Sequence, residues 1–137
     1  LMHIVNDIER IGDHANNLAQ FAETALDENI NFSDTAVDEL QDYFLLVENQ
    51  FARAVEALKT DNRHLAREVI KVEKEIDETE SRLRRAHLKR LNAGACSPFT
   101  GVVFVELLNN LERIGDHALN IVEPVLDDEI RIGKIEA

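Results

Sequence analysis

Twelve residues near the start of this chain, NDIERIGDHANN at 6–17, return almost unchanged near its end as NNLERIGDHALN at 109–120. Nine of the twelve positions are identical at an offset of 103, including the unbroken run ERIGDHA. Seven consecutive identities in a chain of 137 residues do not arise by chance. They mark a duplicated unit of about 100 residues, and duplication at a fixed period means that one supersecondary unit is used twice.

The unit is helical. From about residue 2 to 27, Ile4, Ile8, Ile11, Ala15, Leu18 and Ala22 recur at three- and four-residue steps, the spacing of one helix face. Residues 31–33 break that segment, and Ser33 or Asp34 caps a second helix to about 59 whose seam is Leu40, Phe44, Val47, Phe51, Ala54 and Leu58. Asp61 and Asn62 turn the chain into a third helix, about 63 to 92, with Leu65, Val69, Val72, Ile76, Leu83 and Leu91 inward, ended by Gly94. Ser97-Pro98 opens a fourth, expected to reach about 128 with a kink at Pro124 and with Leu107, Leu111, Ile114, Ala118 and Ile121 inward. With only two Pro, five Gly and no Trp, there is little material for anything but long aliphatic helices. Short loops force antiparallel neighbours, so the fold class is all-α, an antiparallel up-down helix bundle.

Charge narrows the function. The net charge is −12, from 27 acidic against 15 basic residues, which argues against nucleic acid and against an anionic membrane surface. It is compatible with cation binding or simply with solubility. Cys96 is the single cysteine, so no internal disulfide forms and a reducing compartment fits. The longest uncharged run, residues 91–105, contains Pro and Gly and cannot span a bilayer, so no direct membrane insertion is expected. No stretch reads as a signal peptide. The chain begins at Leu1 in mid-pattern rather than at Met, which predicts a fragment of a longer protein.

Within the repeat, Glu9 and Asp13, like Glu112 and Asp116, stand four apart and share a helix face. Seven acidic pairs at that spacing occur in the chain, Asp38/Asp42 among them, so the spacing alone is weak and the repetition carries the signal. Two like charges at that spacing destabilise a helix by a few tenths of a kcal/mol unless a cation or basic partner lies between them. Asn6, Glu9, Asp13, Asn17 and Gln20 form an oxygen-rich stripe, which Asn109, Glu112, Asp116, Asn120 and Glu123 repeat. Such stripes suit hard or borderline cations; the bland alternative is a solvated polar face. Gly12 and Gly115 count against it, because a mid-helix glycine costs about 1 kcal/mol relative to Ala and points to the close approach of another helix. His14, His117, Arg10 and Arg113 read as structural, the arginines neutralising neighbouring acids. On the third helix Glu73, Asp77 and Glu80 form another acidic stripe beside Lys74, Glu75 and Glu78, which reads equally well as a charged surface. The basic run Arg82, Arg84, Arg85, Lys89 and Arg90 complements the helix dipole or forms a docking or phosphate-binding surface.

The ERIGDHA segment near the end of a three-helix unit, preceded by an acidic pair on the middle helix, resembles the signature of the PhoU family. The stretch AHLKRLNAGACSPFTGVVFVELLNNLERIGDHALNIVE is similar to the PhoU-like domains at the C-termini of bacterial sodium/phosphate cotransporters. The resemblance implies tandem three-helix units, with residues 1–28 the final helix of a preceding partial repeat, 33–128 a complete repeat and 129–137 a tail. It implies no catalysis and a role in restraining phosphate uptake and its signalling, through a phosphate transporter or its sensor machinery. It implies divalent or trivalent metal ions, including iron clusters, held here by Glu73, Asp77, Glu112 and Asp116, and by Glu9 and Asp13 in the partial repeat. Asn109, Asn120, Glu80 and Glu123 would be their outer neighbours. The first two helices of the first repeat are missing, which leaves the Glu9/Asp13 pair without its partner motif.

These readings converge on a metal-binding regulatory module, cytoplasmic, tethered to the inner membrane where an upstream transporter domain exists. Two rivals stand beside it. One is a purely structural helical dimerisation domain without metal. The other is a di-iron carboxylate protein, which needs Glu-x-x-His on its helices; Glu112 and His117 are instead five apart. Finally, the apolar stripe of the first helix must be buried, against its own bundle, in a homodimer, or in both.

Overall fold

The computed structural model describes residues 2–127. Its elements are α1 (Met2–Asp27), α2 (Asp34–Thr60), α3 (Arg63–Asn92), α4 (Pro98–Val122) and a 3-10 turn, Glu123–Leu126, and the described residues contain no strand. The all-helical expectation holds. The tail from residue 129 lies outside the described residues.

Each connection is set by local chemistry. Ser33 accepts a hydrogen bond from Ala36 N at 3.2 Å, Asn62 one from Leu65 N at 3.0 Å, and Ser97 one from Thr100 N at 3.2 Å, so three helix starts have a side-chain N-cap. Gly94 sits at φ +71° while Ala95 N bonds Arg90 O and Gly94 N bonds Leu91 O, the paired return bonds of a Schellman end. Asn29 closes α1 in the same way at φ 51°. At the other end, α4 stops earlier than expected. Pro124 has no N–H to give and its ring crowds the preceding turn, so the last turn tightens to 3-10 geometry instead of continuing as a kinked helix.

Helices α2, α3 and α4 pack on one another as a three-helix bundle, and α1 packs along α4. Tyr43, Val47, Val69, Ile76, Leu83, Phe104, Leu108 and Ile121 are all but fully enclosed. Two expected stripes are displaced. On α2 the seam runs through Tyr43, Val47, Gln50, Ala54 and Ala57, and Phe44 is 47% exposed. The inward row contains a phenol and an amide, which an apolar-only reading passes over; Gln50 is accommodated by donating to Val69 O at 2.6 Å. On α1 the expected stripe splits into two rows. Ile11 is buried at 7% with Leu18 packed beside it. Ile8 is 46% exposed, and Ala15 and Ala22 are exposed as well.

What brings α1 onto α4 is largely polar. His14 Nδ1 lies 3.1 Å from Asn110 Oδ1, and Asn17 Nδ2 donates to that same oxygen at 3.2 Å. Reciprocally, His117 Nδ1 lies 2.9 Å from Asp7 Oδ1, to which Asn120 Nδ2 donates at 3.2 Å. Residues 7 and 110 differ by the repeat offset, as do 14 and 117, and 17 and 120. The helices therefore cross antiparallel about a local two-fold axis, and on it the two imidazoles stack, 5.6 Å apart at 16°.

Candidate metal centre

Packing α3 against α4 in opposite directions brings their acidic pairs together. Glu73, Asp77 and Asp116 each offer an oxygen, and these oxygens lie within 4.8 Å of one another. Gly115 lies against this group: a Cβ there would meet Ile76 Cγ2 at 3.4 Å and Glu73 Oε2 at 3.8 Å, both ordinary van der Waals contacts. Gly12, its counterpart on α1, has nothing within 4 Å of that position; the close approach expected at both glycines is found at one.

Crowded carboxylates are costly to ionise where water is excluded; here Asp77 and Asp116 are exposed and Glu73 is not. Glu73 is only 9% exposed, and its pKa is pushed up to about 8, by burial first and then by the carboxylates of Asp116, Asp77 and Glu112. Asp77 is raised by burial, then by Asp116 and Glu80. Glu112 is raised by burial, then by Glu80, Asp116 and Asp77, which places it on the flank of the group. Glu80 is held by Arg84 through a 2.6 Å bond from Nε, and Arg84 also donates to Asn109 Oδ1 at 2.7 Å. Thus Glu80 and Asn109 do border the centre, linked through an arginine that sequence reasoning had assigned to a helix-end basic run.

Tyr43 was missed as well. Its hydroxyl is buried without a hydrogen-bond partner, as is Glu73 Oε2. The phenol is held in its neutral form well above its ordinary range by burial, then by Glu112, Glu80, Asp77 and Glu73. A buried hydroxyl and a buried carboxylate oxygen, both unpaired beside one acidic group, each forgo about 1–3 kcal/mol of hydrogen bonding. The donor set is oxygen only, which suits hard cations, and the unpaired oxygens are where a cation or its water would act. The residues fit such a group.

The other expected residues stand elsewhere. Glu9 and Asp13 are exposed on α1, and Asp13 lines a cavity with Arg10, His14, Arg113 and His117. Asn120 bonds Asp7 in the α1–α4 seam. Glu123 is raised by burial and then by nearby Asp7. Arg10 and Arg113 form no ion pair among the described residues, contrary to the expectation that they neutralise neighbouring acids.

A three-helix bundle with a carboxylate group between two of its helices, and α1 docked on α4 about a local two-fold axis, defines a class of helical bundles that carry a duplicated motif. A family model described as the PhoU domain matches residues 34–125. The chain belongs to the PhoU domain family. It is similar to the phosphate-specific transport system accessory protein PhoU homolog 1 of Thermotoga maritima, at 32% identity over 126 residues, covering 92% of this chain and 53% of that protein. The chain thus spans about half the length of that relative. No solved structure matches it. Among the described residues no helix is long and apolar enough to cross a membrane.

Proposed function

We propose that this chain is a non-enzymatic module that restrains phosphate uptake by acting on a phosphate transporter or its sensor, and that the acids of α3 and α4 hold a hard metal ion. The observation that carries the metal reading is the convergence of Glu73, Asp77 and Asp116 within 4.8 Å beside two unpaired buried oxygens. The family and the accessory protein of Thermotoga maritima support the regulatory reading, and in this reading the module acts at the cytoplasmic face of the membrane.

When bound, a divalent or trivalent cation supplies the positive charge that lets several adjacent carboxylates ionise together. The chain's own residues do the rest. Glu73, Asp77 and Asp116 provide the ligand oxygens, with Glu112 beside them. Glu73 gives up the proton that burial otherwise keeps on it, so occupancy is coupled to proton release. Arg84 fixes Glu80 and Asn109 at the edge, and Tyr43 offers a hydroxyl. Occupancy would tie α3 to α4.

Assembly follows from α1. Val5, Ile8, Gly12, Ala15, Ala19 and Ala22 lie at alternating three- and four-residue steps and all are exposed, a helix-pairing seam. We place a homodimer contact there. Elemental analysis of tag-free protein prepared without chelator tests the metal. Asp116→Ala should lose bound metal and Asp42→Ala should keep it; equal retention in the two would remove the metal from the reading. Phosphate uptake by cells overproducing the chain should fall, and fall less with Asp116→Ala. Unchanged uptake with the intact chain would sink the regulatory role. Light scattering at micromolar concentration should show a dimer that Ala15→Asp dissociates; a monodisperse monomer of the intact chain would refute the contact.

A further inference from the structure

The arginines and histidines of the duplicated run have no part in the acidic centre, yet the fold gathers all four of them in one place. Arg10, His14, Arg113 and His117, with Asp13, line an open cavity of about 430 Å³ between α1 and α4. Arg10 and Arg113 are repeat equivalents, as are His14 and His117, so the cavity sits on the local two-fold axis of the helix crossing. We infer that it is a binding site for a phosphate-class oxyanion.

Three observations carry this. First, in a chain with 27 acids to 15 bases, these two arginines form no ion pair among the described residues. Two guanidinium groups facing one cavity repel each other and attract a shared anion, and their planar forks match phosphate oxygens. Second, both imidazoles are already oriented. Asn110 Oδ1 and Asp7 Oδ1 only accept, so His14 and His117 direct Nδ1–H to them, at 3.1 and 2.9 Å. With the hydrogen on Nδ1, Nε2 of each neutral ring is an acceptor, able to take the hydrogen bond of a protonated oxyanion. Third, the site does not suit a metal. The one group of acids and histidines with donor atoms close enough to share an ion, among the described residues, is Glu73, Asp77 and Asp116, and two flanking arginines repel a cation.

Asp13 sharpens the ligand class. A carboxylate in an anion site repels a fully deprotonated oxyanion such as sulfate, whereas phosphate carries a proton at neutral pH and can donate it in a hydrogen bond to the carboxylate. With two arginines the wall keeps a net positive charge, and the single acid selects for a protonated oxyanion. The inference goes beyond the metal reading and does not depend on it.

The test is titration of the full chain with inorganic phosphate at constant ionic strength, read by calorimetry and by the ring resonances of His14 and His117. Phosphate should bind and shift both rings. Arg10→Gln or Arg113→Gln should weaken binding about tenfold or more, as for loss of a hydrogen bond to a charged group, and the double variant should abolish it. Arg53→Gln, an exposed arginine on α2, should have no effect. Asp13→Asn should narrow the preference for phosphate over sulfate. Asp77→Asn should leave phosphate binding intact, which separates this site from one on a metal. Titrating AMP in parallel identifies the source, a free ion if inorganic phosphate binds more tightly and a phosphomonoester if AMP does. The inference is overturned if the imidazoles do not respond, if Arg53→Gln weakens binding as much as Arg10→Gln, or if only Asp77→Asn abolishes it.

Discussion

The two copies of ERIGDHA are the same seven residues in two different environments. In α4 and the 3-10 turn after it, the row Leu108, Leu111, Gly115, Ala118, Val122 and Val125 is buried in the three-helix bundle, with Glu73 and Ile76 facing Gly115. In α1 the equivalent row, Val5, Ile8, Gly12, Ala15, Ala19 and Ala22, is exposed, and nothing stands near Gly12. The second row of each copy, Ile11 and Ile114, is shielded in both. A motif by itself is therefore not a site. Asp116 belongs to a carboxylate group because α3 brings Glu73 and Asp77 to it; Asp13, with identical neighbours in sequence, faces two arginines instead.

The largest asymmetry is electrostatic and depends on pH. Glu73 binds its proton more tightly in the fold, at about 8 against an ordinary value of 4.5. Between those values the folded state holds more protons than the unfolded one, so stability present below pH 4.5 is lost as pH rises towards 8. Chelator-treated protein should accordingly melt at lower temperature at pH 8 than at pH 5.5, and Glu73→Gln should flatten that slope. Glu9→Gln on the other copy should leave it unchanged. An unaltered slope in Glu73→Gln would mean that the acids of α3 and α4 are not coupled as described.

Packing gives the next effect. Leu111→Ala should cost about 2–5 kcal/mol, as for a large core side chain, while Ile8→Ala at the equivalent, half-exposed position should stay within about 1 kcal/mol. Denaturant melts of protein dilute enough to be monomeric measure both. A comparable loss at Ile8 would show that α1 does not present this row outward in the single chain.

The seam between the copies can be tested at its one unlike pair. Asp7→Ala leaves the His117 and Asn120 donors without their acceptor and should cost about 1–3 kcal/mol. Asp7→Asn restores an oxygen like that of Asn110 and should recover most of it. If Asp7→Asn is as damaging as Asp7→Ala, charge rather than hydrogen bonding holds this end of α1.

The smallest effect is at the glycines. In the monomer, Gly12→Ala should stabilise by about 0.5–1 kcal/mol from helix propensity alone, because within one chain the new methyl meets nothing. At Gly115 the same change should gain at least as much, since the methyl would meet Ile76 at 3.4 Å, an ordinary van der Waals contact that buries it. A net loss there would mean that α3 stands closer to Gly115 than the structure has it.

Four helices, the caps at Ser33, Gly94 and Ser97, and the acidic stripes of α3 and α4 were legible in the residues alone, because caps and periodicity act within a turn or two of the chain; the pairing of those stripes was implied only by the family resemblance. What was not legible involved choices between faces. Phe44 looked like core and Tyr43 did not, although Tyr43 is enclosed and Phe44 is 47% exposed; hydrophobicity ranks side chains without saying which row a neighbouring helix will meet. Likewise the stripe on α1 merged two rows that differ by less than half a turn. Arg84 looked like part of a helix-end charge run, and only its bonds to Glu80 and Asn109 show what it holds.

The sequence by itself determined the helices, the duplication, the oxygen-rich chemistry and the family, since each depends on local spacing and residue type. Tertiary structure alone decided which copy of the motif has acids opposite it, which faces two arginines and two histidines, and which glycine is a contact. Those outcomes depend on side chains up to about 100 residues apart, such as His14 and Asn110, 96 apart, or Asp7 and His117, 110 apart. Identical residues respond to whatever the fold sets against them, and no spacing within the motif encodes that.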